Sequence, residues 1–144
     1  MQAGKFQGII KRLKCALEGG SSRDVLSSSQ DLMDGLCYVF RLKRIRMKVL
    51  DKRPSKSWGE LHGLYERISG KEPQVTVWMR TAKKKDLVSF KTFLRTIVHE
   101  FMRHLDYGRL GLKDSLHTAG FFKRESHVMR QLLLHCTTSQ DRTS

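Results

Sequence analysis

The stretch SFKTFLRTIVHEFMRHLDY, residues 89–107, carries the most regular pattern in the chain. Phe90, Phe93, Leu94, Ile97, Val98, Phe101, Met102 and Leu105 recur at the three- and four-residue intervals of a helix that packs one side on a core. So well defined a stripe places the other residues by angle. At about 100° per residue, His99 stands about 150° and Glu100 about 110° from the stripe centre, which predicts positions off the core face and open to a cleft.

Upstream of this helix the period changes. Ile45, Met47 and Val49 alternate with Arg44, Arg46 and Lys48, the signature of a strand with one buried and one solvated face. DKRPSKS ends that strand, WGELHGLYE predicts a second, and QVTVWMRTA a third. Pro73 cannot sit inside a sheet and marks the turn between the last two. Before the strands, Leu32, Leu36, Val39 and Phe40 predict a helix beginning near Ser29. An amphipathic segment from Phe6 to Leu17 precedes it, and GGSSRDVLSSS between them reads as a flexible linker. After the 89–107 helix, GRLGLKDSLHT separates it from a last helix over roughly 119–134. The expected organisation is an N-terminal helix and linker (1–28), a folded domain (29–135) and a polar disordered tail (136–144). Short connections favour antiparallel pairing, so the fold expected is α+β: a helix, a three-stranded, mainly antiparallel sheet, then two helices against one sheet face.

Composition narrows the function. Leu, Ile, Val and Phe make up about a quarter of the 144 residues, above the range in which chains stay disordered. No apolar run reaches the roughly 18 residues of a membrane span, and MQAGKFQGIIKRLKC lacks the apolar core of a signal peptide, so a cytoplasmic protein without membrane contact is expected. Cys15, Cys37 and Cys136 are scattered, without zinc-ribbon spacing, and read as reduced thiols. The formal charge is +14, from 28 basic and 14 acidic residues. Such an excess attracts phosphate-rich partners. Arg44, Arg46 and Lys48 project from one strand face, flanked by Arg41, Lys43, Lys52, Arg53 and Lys56, with Lys83–Lys85 on the third strand's exit. This ridge is the candidate nucleic-acid surface. No RNP string, zinc finger or P-loop is present, so binding would be non-specific in sequence. A plain solvated sheet face is the alternative.

The chemistry-bearing residues lie on the long helix and beyond it. A metallopeptidase helix needs His, Glu and a second His four residues after the first, because one turn brings both imidazoles to one ion. The chain reads His99, Glu100, Phe101, Met102, Arg103, His104. Arg103 holds the second histidine's position and cannot ligate a cation. His104 comes one residue late, and only a local π-bulge would bring it round. Further on, His117-Thr-Ala-Gly-Phe121 opens the last helix, 14 residues after position 103.

With VTVWMRTAKK, FLRTIVHEF, HLDY and DSLHTAGFFKRES, this arrangement resembles the SprT-like (Spartan-type) branch of the zincin metallopeptidases over about residues 32–135. The resemblance implies a minimal zincin-like fold with zinc as cofactor. It also implies His99 and His117 as metal ligands, and Glu100 as the catalytic base that activates a zinc-bound water against a peptide or protein substrate, in a family often associated with proteolysis near DNA. Arg103 departs from the pattern, so zinc is expected to bind weakly or not at all, as in a pseudoenzyme. The alternative is a non-catalytic basic module that keeps the fold and binds nucleic acid.

Glu125 falls inside the apolar face set by Phe121, Phe122, Val128, Met129, Leu132 and Leu133, where a carboxylate needs a partner. Arg103 is the expected cation, shared with Glu100. His62, His127 and His135 read as structural or surface groups. Asp106 and Asp114 read first as ion-pair partners of Arg103 or as caps, and otherwise as supports for neighbouring histidines.

Overall fold

The computed structural model describes residues 6–52, 55–56, 59–60, 63–67, 70–80, 88–110 and 123–133. Helix α1 (Gln7–Gly19) ends where Gly20 takes a left-handed conformation, φ 72°, and sends its N–H back to the carbonyls of Ala16 and Leu17. Glycine is suited to that position because it has no Cβ to clash. Ser21 then caps α2 (Ser22–Phe40), its Oγ accepting from the Asp24 N–H. The expected flexible linker is therefore a tight corner between two helices, with Val25, Ser28 and Ser29 buried on α2. Nor is α1 an appendage. Phe6, Ile10, Leu13 and Leu17 are buried in the same core as Leu32, Leu36 and the sheet. Phe6 fits because position 35 is glycine: a Cβ there would lie 2.7 Å from its ring.

After α2 come β1 (Arg46–Lys52), β2 (Ser55–Lys56), β3 (Gly59–Glu60), β4 (Gly63–Glu66) and β5 (Gln74–Arg80), then α3 (Phe90–Leu110) and a final helix, α4, over 123–133. The α+β layout expected from the sequence is the one observed. β2 and β3 form a small antiparallel pair, and the main sheet has the order β1-β5-β4. β4 runs antiparallel to β5, as its short connection predicts, but β1 runs parallel to β5, in register from Arg46–Gln74 to Lys52–Arg80. The antiparallel expectation fails there because the chain between β1 and β5 is not short: it contains β2, β3 and β4, long enough for a parallel crossover.

β5 is central and buried on both faces: Val75, Val77 and Met79 on one, Thr76 and Trp78 on the other. Met47 and Val49 of β1 and Tyr65 of β4 share the first face, by register. Against it lies α3, with Phe93, Leu94, Ile97, Val98, Phe101, Met102 and Leu105 buried and Phe90 partly so. Ser89 caps α3, accepting from the Thr92 N–H. α4 adds Val128, Met129 and Leu132 to the core. Among the described residues no helix is long and apolar enough to cross a membrane. Residues 111–122 and 134–144, which include His117, Asp114, His135, Cys136 and the expected tail, lie outside the described residues, as do Arg53, His62 and Lys83–Lys85.

Candidate functional site

Among the described residues β4 is one of the two edge strands of the main sheet, and Gly63 sits where it passes over α3. A Cβ at Gly63 would come within 2.7 Å of Thr96 Cγ2 and 3.2 Å of Glu100 Cγ, so any larger residue would displace the Thr96 side chain or the strand. This close approach makes one wall of a cleft of about 340 Å³, also lined by Thr92, Arg95, Thr96, His99, Glu100 and Glu125. The angular reading thus holds in its main point. His99 and Glu100 turn away from the apolar stripe and meet in a cleft.

Glu100 is only 4% exposed. Burial pushes its carboxyl pKa above the ordinary value, and the neighbouring Arg103 and His99 oppose that rise. A carboxyl poised this way, at a cleft wall, is suited to giving and taking a proton. Arg103 Nη1 donates to Glu100 Oε2 at 3.5 Å, one helical turn away. Glu125 comes from α4 and is also buried, but the expected Arg103–Glu125 pair does not form. Instead, Glu125 Oε2 lies 3.4 Å from His99 Nδ1. The carboxylate of α4 therefore orients the imidazole, while the guanidinium, among the described residues, serves Glu100.

Among the described residues these do not compose a zinc site, and His117, the other expected ligand, lies outside them. The described donors facing the cleft are His99, Glu125 and a Glu100 already joined to a fixed cation, and no group of three His, Cys, Asp or Glu that could hold a metal ion occurs among the described residues. His104 contributes nothing to it. α3 is α-helical throughout, and His104 is buried on another side, with Nε2 3.1 Å from the Lys43 carbonyl and Nδ1 2.7 Å from Tyr65 Oη.

Two partnerships escape a reading of the sequence. Asp106 is fully buried and takes Arg124 Nη2, not the expected Arg103, on both oxygens at 2.9 Å, which ties α4 to α3. Its signal was faint: an acid at the end of the apolar stripe and a cation two residues into a distant helix. Tyr65 faces His104 through β4's register, a meeting that needs the sheet order to be known. His127 is exposed, as expected of a surface group.

On β1, Arg46 and Lys48 are exposed while Ile45 and Met47 are buried, so the predicted alternation is realised. Arg44, just ahead of the strand, is exposed too, and its Nε donates to Asp34 Oδ1 at 3.2 Å. The cationic side chains of the ridge thus stand apart from the His99–Glu100 cleft.

A scan against protein-family models finds no match to this chain, and neither do searches of the curated proteins and of the solved structures.

Proposed function

We propose that the chain is a SprT-like, zincin-type domain that no longer hydrolyses peptides and instead binds nucleic-acid backbone, without sequence preference, through the exposed cations at β1. The observation that carries this is the alternation at residues 44–48. Arg44, Arg46 and Lys48 stay in solvent because the intervening Ile45 and Met47 anchor the segment in the core. A strand therefore holds Arg46 and Lys48 in fixed register, with Arg44 just ahead of it. Phosphates reward that arrangement through released counterions, with a salt slope of about 0.9 per phosphate neutralised. Short duplex DNA should bind at low salt. Arg46→Glu with Lys48→Glu should weaken binding at least tenfold and flatten the salt slope by about two. No binding at low salt, or an unchanged slope in the variant, would refute the reading.

A second reading, a working zinc peptidase, is favoured by the meeting of His99, Glu100 and Glu125 at one cleft. Metal content discriminates. The purified chain should hold far less than one equivalent of zinc, since a guanidinium beside Glu100 both fails to ligate and repels a dication. Arg103→His should raise zinc affinity. Stoichiometric zinc and peptide cleavage by the unmodified chain would establish the peptidase.

A further inference from the structure

At the end of the sheet away from the His99 cleft, the α2–β1 connection and the residues after β4 enclose a recess of about 370 Å³. Its walls are Arg41, Lys43, Arg67 and Lys71 with Leu42 and Pro73, and His104 also lines it. A wider recess shares Lys43, Arg67, Lys71 and Pro73 and adds Arg44 and Glu72. Four cations surround the smaller recess, and no carboxylate is among its lining residues. Cations gathered around a concavity raise its positive potential, and the low-dielectric walls focus their field into it.

Two features set this recess apart from ordinary surface charge. Arg41 caps α2 at φ 56°, ψ 47°, and among the described residues it is the one non-glycine with positive φ. Glycine is the usual occupant of such a cap because side chains strain it. The chain keeps a guanidinium where the backbone favours none, and strain of this kind gathers at ligand clamps. The wall is also built in advance. Because a carbonyl only accepts, His104 must carry its proton on Nε2 to bond Lys43 O, which leaves Nδ1 to accept from Tyr65 Oη. The Lys43 backbone is thereby tied to both α3 and β4.

We propose that this recess binds a phosphate monoester, a dianionic phosphoryl group carried by a small molecule or by the 5′ end of a nucleic-acid strand. The Arg41 guanidinium supplies a planar fork for its oxygens, Lys43 and Lys71 supply ammonium charge, and Arg67 adds to the positive field. The volume lies within the usual range of small-ligand sites, about 300–1,000 Å³. A concave recess takes a group that projects. A continuous backbone lies on open surface, so this site does not depend on the reading given for β1.

The test is calorimetric titration of the full chain at constant ionic strength with inorganic phosphate, adenosine 5′-monophosphate, adenosine, and a short single strand with or without a 5′-phosphate. Phosphate and the monophosphate should bind and adenosine should not. The phosphorylated strand should bind at least tenfold more tightly than its 5′-hydroxyl twin. Response to the strand end but not to the monophosphate would assign the site to nucleic-acid ends; response to both would assign it to phosphorylated small molecules as well. Arg41→Gly suits the left-handed cap and should leave the thermal midpoint unchanged or raised while weakening phosphate binding at least tenfold. Lys71→Gln should weaken it as well. Absence of phosphate binding, or full binding by the folded Arg41→Gly variant, would overturn the proposal.

Discussion

His104 illustrates how one residue's setting sets a pH response. Both of its ring nitrogens are engaged: Nε2 donates to the Lys43 carbonyl, a bond that favours the protonated ring, and in the neutral ring Nδ1 accepts from the Tyr65 hydroxyl. Burial, the main cause, lowers its pKa below 6.5, and the nearby Arg67 adds to the fall. Below pH 6.5 the unfolded chain therefore takes up a proton that the folded chain refuses. His104's contribution to stability is complete above about pH 6.5 and declines as pH falls below it. Glu100 acts with the opposite sign, because its folded pKa is raised above 4.5 and it favours the fold as pH falls through that raised value. A variant isolates the histidine. His104→Gln keeps an amide donor for Lys43 but does not titrate. Between about pH 7.5 and 5.5 the wild-type thermal midpoint should drop more steeply than the variant's. Parallel curves would mean that His104 is not held neutral. Its place one residue past position 103, five from His99, already showed in the sequence that this ring faces elsewhere. Its partner Tyr65, 39 residues away, could not be read without the sheet order.

Among the elements, β1 has an unusual partner on the side away from β5. Gln30 of α2 accepts from the Met47 N–H at 2.8 Å and donates to the Ile45 carbonyl at 2.9 Å and to Asp34 Oδ1 at 2.8 Å. Its amide thus bonds the strand as a further strand would, and covers an edge that would otherwise offer unpaired backbone. Gln30→Leu keeps the bulk and leaves Met47 N–H and Ile45 C=O without that partner, so it should cost about 1–3 kcal/mol in denaturant unfolding. A loss below about 0.5 kcal/mol, the range of plain surface substitutions, would show that water replaces the amide. Helix and strand periods were legible where one face is buried: the α3 stripe and the β1 alternation appear in the residues as they do in the fold. The GGSS corner was misread because the same residue types form linkers and caps. What decides between them is the apolar face of α1 packing on Leu32 and Leu36, a tertiary event that composition does not report. The parallel pairing of β1 was hidden for a similar reason, since nothing local says that β5 enters between β1 and β4.

For the whole molecule the dominant quantity is charge. A formal +14 on 144 residues repels itself in the compact state. Ion pairs offset only part of it: those of Arg12 with Asp31, Arg44 with Asp34 and Arg80 with Asp51 are exposed, where such pairs contribute little. The pair of buried Asp106 with the partly exposed Arg124 serves to fix α4. Salt should consequently have two opposite effects. At about 0.1 M the screening length is about 10 Å, short enough to quench repulsion between the β1 ridge and cations elsewhere on the surface. Raising sodium chloride from about 0.02 to 0.2 M should raise the thermal midpoint of the free protein. Over that tenfold change, affinity for duplex DNA should fall roughly 500-fold if the three cations of residues 44–48 each neutralise a phosphate. The two measurements share one cause, so they constrain each other. A midpoint indifferent to salt would mean that the excess charge is already compensated in the folded chain. Arg44, Arg46 and Lys48 would then be the solvated face of a strand and nothing more.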